Sequence, residues 1–300
     1  MWSLLVLVIP LTFSNFVYSF STVLYPSCGS SPLKQRRGCT PNSNRITNGV
    51  ETEDGEIPWQ VSIIIGYKGI PEVGSCGGSI ISINSVLSAA HCFDAETISN
   101  VQYYFDIERT SVHAGGNGDK QSGTKLEIKK IIRHPRFQTT ENGLINDLAI
   151  ITMKEEFKFS TNIQAICLPL FNSSIPNIGS TMVASGWGKT SFTGTRSPHL
   201  LRGDLQVYSF DSVHCTKDVL SYASENSIMC VYNPSSSTCQ GDSGGPLTME
   251  VEGFCTLVGV TSQGVKCGES GYGALHTNVS HFLDWILDNI SDSCSEPFII

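Results

Sequence analysis

The chain contains no apolar run of membrane length, no block of like charges and no internal repeat. A membrane-spanning helix needs about 20 consecutive apolar residues. The first residues, Leu4 to Ile9 and then Leu11 and Phe13, fall short of that and are interrupted by Pro10. They fit the apolar part of a secretory signal peptide, although no basic residue precedes them. Cleavage is expected near Val17-Tyr18-Ser19, which makes residues 1–19 the signal. Positive charge is in short supply: 19 Lys and Arg against 27 Asp and Glu leave a net charge of -8. That balance argues against nucleic acid or an anionic membrane surface as a partner. Lys34, Arg36 and Arg37 form the one dense basic cluster and read as a processing or solvated loop. Zinc signatures are missing as well. No HExxH and no paired CxxC occurs, so no catalytic or structural metal and no cofactor is expected.

Cysteine, by contrast, is abundant. Eleven cysteines behind a signal peptide imply a disulfide framework with one residue left over. Sequons at Asn172, Asn278 and Asn289 agree with a secreted, extracellular protein. Hydrophobic content of 40% and charged content of 15% permit a sizeable core. A length of 300 residues allows two domains or one large sheet-based unit. Residues 20–45 are rich in Ser, Pro, Gly and basic side chains, carry Cys28 and Cys39, and show no apolar period. They read as an exposed segment rather than a domain. It ends at Arg45-Ile46-Thr47-Asn48-Gly49, where an arginine before small polar residues makes a good proteolytic site.

From Ile57 the texture changes. Short β-branched stretches lie at Trp59–Ile65, Ser79–Leu87, Lys129–Ile132, Leu148–Met153, Met182–Ala184 and Thr256–Thr261, separated by Gly, Asn and Pro. This pattern marks an all-β sandwich or barrel. The one convincing helical stretch is C-terminal, about 281–290, with Phe282, Trp285, Ile286, Asn289 and Ile290 on one face. A docking helix is the expected role.

Three stretches carry chemistry. Gly241-Asp242-Ser243-Gly244-Gly245-Pro246 sets a hydroxyl among glycines, where the backbone can turn sharply and offer bare N–H groups. A serine nucleophile needs a base, and the base needs an orienting group. Ser88-Ala89-Ala90-His91-Cys92 supplies a histidine between small residues and a cysteine. A lone histidine is most often a surface or satisfied core residue. His91 differs because Cys76-Gly77-Gly78-Ser79 lies at a distance that suits a hairpin closed by Cys76–Cys92. Asn146-Asp147-Leu148-Ala149-Ile150 brings an aspartate into an apolar strand, which is costly unless its carboxylate is satisfied. It is either a strand-capping turn or the carboxylate that holds the imidazole.

Together these stretches resemble the chymotrypsin/trypsin family of serine endopeptidases. SAAHC, NDLAI, SGWG and CQGDSGGP stand in the family's order, and the likeness spans Ile46 to Ile290. The order His-Asp-Ser excludes the α/β-hydrolase reading of GxSxG, which runs Ser-Asp-His with alternating helices. The resemblance implies two antiparallel six-stranded β-barrels over residues 46–300 with the catalytic triad between them. Ser243 would be the nucleophile, His91 the base, Asp147 its orienter, and the N–H groups of Gly241 and Ser243 the oxyanion hole. Ser262 matches a serine that bonds the buried aspartate. Cleavage after Arg45 by a trypsin-like activator would free the Ile46 ammonium to pair with Asp242, making residues 20–45 a propeptide. Here ITNG replaces the usual IVGG.

The specificity pocket would have Ser237 at its base and Gly264 and Ala274 as walls. Trypsin-like members carry Asp at the base. A neutral serine leaves a buried substrate cation uncompensated, so cleavage after large or medium apolar residues is expected, with Leu and Met gaining relative to Tyr and Trp. Gln263 stands where the family usually has Trp, and Leu144 is expected to line the neighbouring subsite. The resemblance pairs Cys76–Cys92, Cys215–Cys230 and Cys239–Cys267. It tethers Cys167 to the propeptide, preferably at Cys28 and alternatively at Cys39. Cys39, Cys255 and Cys294 are then left, with one pair and one free or intermolecular thiol as the options. Met182 and Met249 replace a further family bridge. The family's calcium loop would fall at Gly116-Asn117-Gly118-Asp119, which lacks paired carboxylates, so no calcium is expected. Expected partners are protein or peptide substrates, the activating protease, and serpins or small protein inhibitors. The competing class is a catalytically inactive homologue acting as a binding module, whose usual sign, a lost triad residue, is absent.

Overall fold

A computed structural model describes residues 28–30, 38–41, 49–71, 73–169, 176–215, 223–264 and 271–290. In the first half, β1 (Val50–Glu51) precedes β2 (Gln60–Tyr67), β3 (Val73–Ile80) and β4 (Ser85–Ser88). A small hairpin, β5 (Glu96–Ile98) with β6 (Val101–Tyr103), leads to the long hairpin β7 (Phe105–Gly115) and β8 (Gly123–Arg133). A third hairpin, β9 (Gln138–Thr140) with β10 (Gly143–Ile145), precedes β11 (Ala149–Met153). Strands β11-β4-β3-β2-β7-β8 close into a barrel. β2, with its run Ile63-Ile64-Ile65, is buried along its whole length, so it shows continuous apolar character rather than alternation.

The second half contains β12 (Thr181–Gly186), β13 (Leu201–Tyr208), β14 (Ile228–Tyr232), β15 (Pro246–Val251), β16 (Phe254–Gly264) and β17 (Ala274–Asn278). They run β13-β12-β15-β16-β17-β14 and close through β13–β14, while β1 adds to the far end of β13. The architecture is therefore two six-stranded antiparallel barrels. A 3-10 turn, Val279–Phe282, leads into α1 (Leu283–Ile290). Phe282, Leu283, Ile286 and Ile290 are buried in the same apolar cluster as the first barrel, so the helix docks on it as its pattern implies. Met182 is fully buried in the second barrel and Met249 packs against that cluster, an apolar filling in keeping with the expected replacement of a bridge.

Two readings need correction. The stretch Ser79–Leu87 is not one strand. It turns at Ile81–Asn84, where the Ile81 N–H bonds Ser85 O at 2.9 Å and Ser82 and Asn84 pair through side chains. Nor is the segment 20–45 wholly exposed: Cys28, Gly29, Gly38 and Cys39 are buried, Ser30 and Thr40 half-buried, and Pro41 is exposed. The cause is covalent. Cys28 bonds Cys167, as preferred, and Cys39 bonds Cys255, which removes Cys39 as the alternative partner of Cys167. The Gly29 N–H also bonds Ala165 O, and Cys255 N–H bonds Gly29 O. Cys76–Cys92 and Cys215–Cys230 are present, and Cys239 is disulfide-bonded. Its expected partner Cys267 lies outside the described residues, as do Cys294, Asn172, Arg45, Ile46 and the signal segment.

A buried ion pair holds the same segment. Arg202 on β13 and Glu56 are 1% and 0% exposed and meet at 2.7 Å. Arg202 Nη2 donates to the Thr40 carbonyl, next to Cys39. Removing one member of a buried pair leaves the other charge uncompensated. Arg202→Met should therefore lower unfolding free energy by about 3–5 kcal/mol in a denaturant titration, and the double change with Glu56→Gln should recover part of that loss.

Candidate active site

The site lies where the barrels meet. His91 sits in the 3-10 turn Ala90–Phe93 after β4, and Asp147 follows β10 at the entrance to β11. His91 Nδ1 donates to Asp147 Oδ2 at 2.7 Å, and the His91 main-chain N–H donates to Oδ1 at 2.9 Å. Ser262 on β16 donates its hydroxyl to Oδ2 at 2.6 Å. Thr277 on β17 donates to the Asp147 carbonyl at 3.1 Å. Asp147 is 1% exposed, yet both carboxylate oxygens are satisfied. Burial pushes its pKa up, but the His91 charge and bonds, with the Ser262 bond, outweigh that and leave it below the usual carboxylate range. For His91, burial pushes the imidazole down, while the Asp147 charge and bond, with Asp94 further off, carry the net shift upward. With Nδ1 donating, Nε2 of the neutral ring is left as an acceptor.

Ser243 belongs to the tight turn between Cys239 and β15. Gly241 has a φ of +104°, a backbone state that a side chain would strain. The turn is held by Asp242 N–H to Cys239 O at 2.9 Å, Gly245 N–H to Asp242 O at 2.8 Å and Gly244 N–H to Thr261 O at 2.7 Å. The N–H groups of Gly241 and Ser243 find no acceptor among the described residues, and neither does the Ser243 hydroxyl. Open main-chain donors and a hydroxyl in one turn are parts of an acyl-transfer site; the hydrogen bond from that hydroxyl to the imidazole, which such a site also uses, is not formed among the described residues. The Ser243 carbonyl accepts the Gly77 N–H at 2.7 Å. Gly77 neighbours Cys76, whose disulfide reaches Cys92 next to His91. A Cβ on Gly244 would stand 2.6 Å from Gly77 O and 3.0 Å from Ala89 N, so glycine permits the serine turn to seat against the histidine segment. Cys76, His91 and Cys92 also cluster within metal-ligand range, but both sulfurs are already joined in the disulfide.

The Asp242 carboxylate sits against Gly186 and Gly188. It accepts the N–H groups of Gly188 at 2.7 Å and Cys239 at 2.9 Å. Burial still pushes its pKa up to about 6, which those two N–H groups and the Arg196 charge offset only in part. Asp242 and Gly49 line one cavity, with Gly186, Gly188 and Ser237. A second cavity, about 210 Å³, lies beside Ser243 and is lined by Phe192, Thr238, Gln240 and the β16 end from Thr261 to Gly264. Ser237 therefore lines the Asp242 cavity, which shares Thr238 and Cys239 with the one beside Ser243. Ala274 pairs with Gly264, and a Cβ on Gly264 would meet it at 3.6 Å. Leu144 and Gln263 are joined by hydrogen bonds at 2.9 and 3.4 Å.

The sequon residues Asn278 and Asn289 donate their side-chain amides to the carbonyls of Asn226 and Trp285, at 2.9 and 2.8 Å. Sequence reasoning missed Thr277, Gly77 and Arg196. Arg196 lies against Gly241 and donates to Ser75 Oγ at 2.5 Å. Only Gly77 left a trace, in the glycine pair after Cys76.

Residues 46–286 match the family model described as Trypsin. The chain is 33% identical to CLIP domain-containing serine protease B4 of Anopheles gambiae over 282 residues, 88% of this chain and 76% of that one. It is 33% identical to Trypsin epsilon of Drosophila erecta over 247 residues, 81% and 86% of the two chains. Transmembrane protease serine 5 of Homo sapiens is 31% identical over 261 residues, 85% of this chain and 54% of that protein. Among the described residues no helix is long and apolar enough to cross a membrane.

Because Asp147 holds the His91 pKa up, Asp147→Asn should lower it. Following the ring proton signals of His91 by NMR against pH would show this, and an unchanged midpoint would mean that the carboxylate does not control the imidazole.

Proposed function

The chain belongs to the trypsin family of serine proteases, and from that premise we propose that it is a secreted endopeptidase made as a zymogen. The observation that carries the reading is the bonded His91–Asp147 pair together with a Ser243 turn whose hydroxyl and two N–H groups have no partner among the described residues. Ser243 Oγ attacks the peptide carbonyl carbon while His91 Nε2 takes its proton. The carbonyl oxygen, now negative, accepts the N–H groups of Gly241 and Ser243. Collapse breaks the C–N bond, and His91 delivers the proton to the leaving amine. Water, deprotonated by His91, then releases the acyl group from Ser243. Asp147 keeps the proton on Nδ1 and stabilises the imidazolium.

Activation rests on Asp242. A buried carboxylate with a raised pKa and, among the described residues, two N–H partners is one that a nearby cation would stabilise. Cleavage after Arg45 by a trypsin-like protease would free the Ile46 ammonium, four residues before the start of β1. Gly49 lines the Asp242 cavity, which is consistent with that insertion. The Cys28–Cys167 and Cys39–Cys255 bonds would keep the cleaved propeptide attached. Arg45→Gln should leave a folded but nearly inactive zymogen, measured by peptide hydrolysis after treatment with the activator. Full activity in that variant would remove the zymogen reading.

Specificity is read from the neutral residues Ser237, Gly264 and Ala274; of these Gly264 lines the cavity beside Ser243 with Ala274 paired to it, while Ser237 lines the adjoining Asp242 cavity. Large or medium apolar residues before the scissile bond are favoured, by the roughly 1–3 kcal/mol that pocket fit supplies. Serpins or small protein inhibitors would compete for the same cleft, and the sequons would carry glycans. The test is a substrate panel after controlled cleavage at Arg45, varying only the residue before the bond among Phe, Tyr, Leu, Met, Ala, Val and Arg, with Ser243→Ala as the blank. A maximum at Phe, Leu or Met is expected. A maximum at Arg would overturn the pocket reading, and no turnover at all would favour an inactive binding module.

A further inference from the structure

Strand β16 ends in Ser262, Gln263 and Gly264, all lining the cavity beside Ser243. The Gln263 carboxamide reaches across to the β9–β10 hairpin. Its Oε1 accepts the Leu144 N–H at 2.9 Å and its Nε2 donates to the Leu144 carbonyl at 3.4 Å. A carboxamide offers an acceptor and a donor in one plane, as a peptide group does. The side chain thus acts as one rung of a ladder between β16 and the edge of β10 that faces away from β9. Space is made for it by the preceding residue: a Cβ on Gly143 would stand 2.5 Å from Gln263 Nε2. One residue earlier on β16, Ser262 holds the Asp147 carboxylate. Consecutive side chains therefore fasten both ends of the segment 144–147.

We propose that Gln263 is a specificity-determining residue that closes the acyl side of the cleft beyond the first subsite. The proposal rests on the endopeptidase reading above. With its amide engaged, both main-chain groups of Leu144 are taken and the hairpin is fixed close to β16. A large side chain on the second residue before the scissile bond would have to part the hairpin from Gln263 and leave a donor and an acceptor unpaired. A small one would not. The preferred substrates carry Gly, Ala or Ser at that position, rather than Leu or Phe. This selection adds to the apolar choice made by the first subsite and comes from a different strand pair.

The experiment uses fluorogenic peptides that share one residue before the scissile bond and carry Ala, Ser, Leu or Phe before that. The activated protein and the variants Gln263→Ala and Gln263→Glu are each titrated with an organophosphonate, so that rates refer to competent sites. Glu keeps the size but places a carboxylate against the Leu144 carbonyl, so both variants release the hairpin by different means. In the wild type, kcat/KM for Ala should exceed that for Phe by about tenfold, the discrimination expected of a steric pocket. In both variants the ratio should fall to within about twofold, with the change carried by KM for the Phe peptide. Loss of active protein alone would leave the ratio untouched. A wild type that labels at Ser243 and cleaves all four peptides equally overturns this proposal and leaves the endopeptidase reading standing. So does a ratio that neither variant moves. A wild type that neither labels nor cleaves overturns both.

Discussion

Asp147 is a carboxylate buried between two barrels, and a charge in that position persists only with hydrogen bonds on every side. Its donors come from both halves of the chain. His91 belongs to the first barrel, after β4, while Ser262 and Thr277 sit on β16 and β17 of the second. Satisfying one charge thus sets the two barrels against each other and orients the imidazole in the same step. The Cys76–Cys92 bond and the Gly77 N–H bring the Ser243 turn into that frame.

The two buried carboxylates near the cleft are treated oppositely. Asp147 is surrounded by donors and lies below the ordinary carboxylate range. Asp242, one residue from the nucleophile, has two N–H partners and a pKa pushed up to about 6. The first is a finished interaction that holds a base. The second still favours a positive charge, which suits a group whose partner arrives after a cleavage. The segment that holds Cys28, Cys39 and Thr40 is fastened to the body by two disulfides and by Arg202, itself paired with Glu56. If the proposed cleavage occurs, this covalent leash would keep the buried Cys39 in the first barrel's apolar cluster.

Motifs with a short reach were legible in the sequence. His91, Asp147 and Ser243 lie in local contexts whose glycines, small residues and apolar strands are written within a few positions. An all-β sandwich or barrel was legible too, because strand-forming stretches alternate with turn residues, whereas the pair of six-stranded barrels came from the resemblance to the family. The break at Ile81–Asn84 was missed because its residues are apolar and polar by turns, as a half-buried strand would be. The burial of Cys28, Gly29, Gly38 and Cys39 was missed for a different reason. Their composition is that of an exposed loop, and only bonds to Cys167 and Cys255, far along the chain, carry them inside.

The amino-acid sequence by itself determined which chemistry this chain can hold: a hydroxyl, an imidazole and a carboxylate in family order, in a strand-rich framework. The tertiary structure alone decided which atoms meet. Gln263 reads as the loss of an aromatic floor until its amide is seen bonded to Leu144, 119 positions away. Thr277 and Arg196 carry no local signal at all. The physical reason is range: propensity and turn chemistry act over neighbouring residues, whereas a hydrogen bond across a cleft depends on how two closed barrels pack.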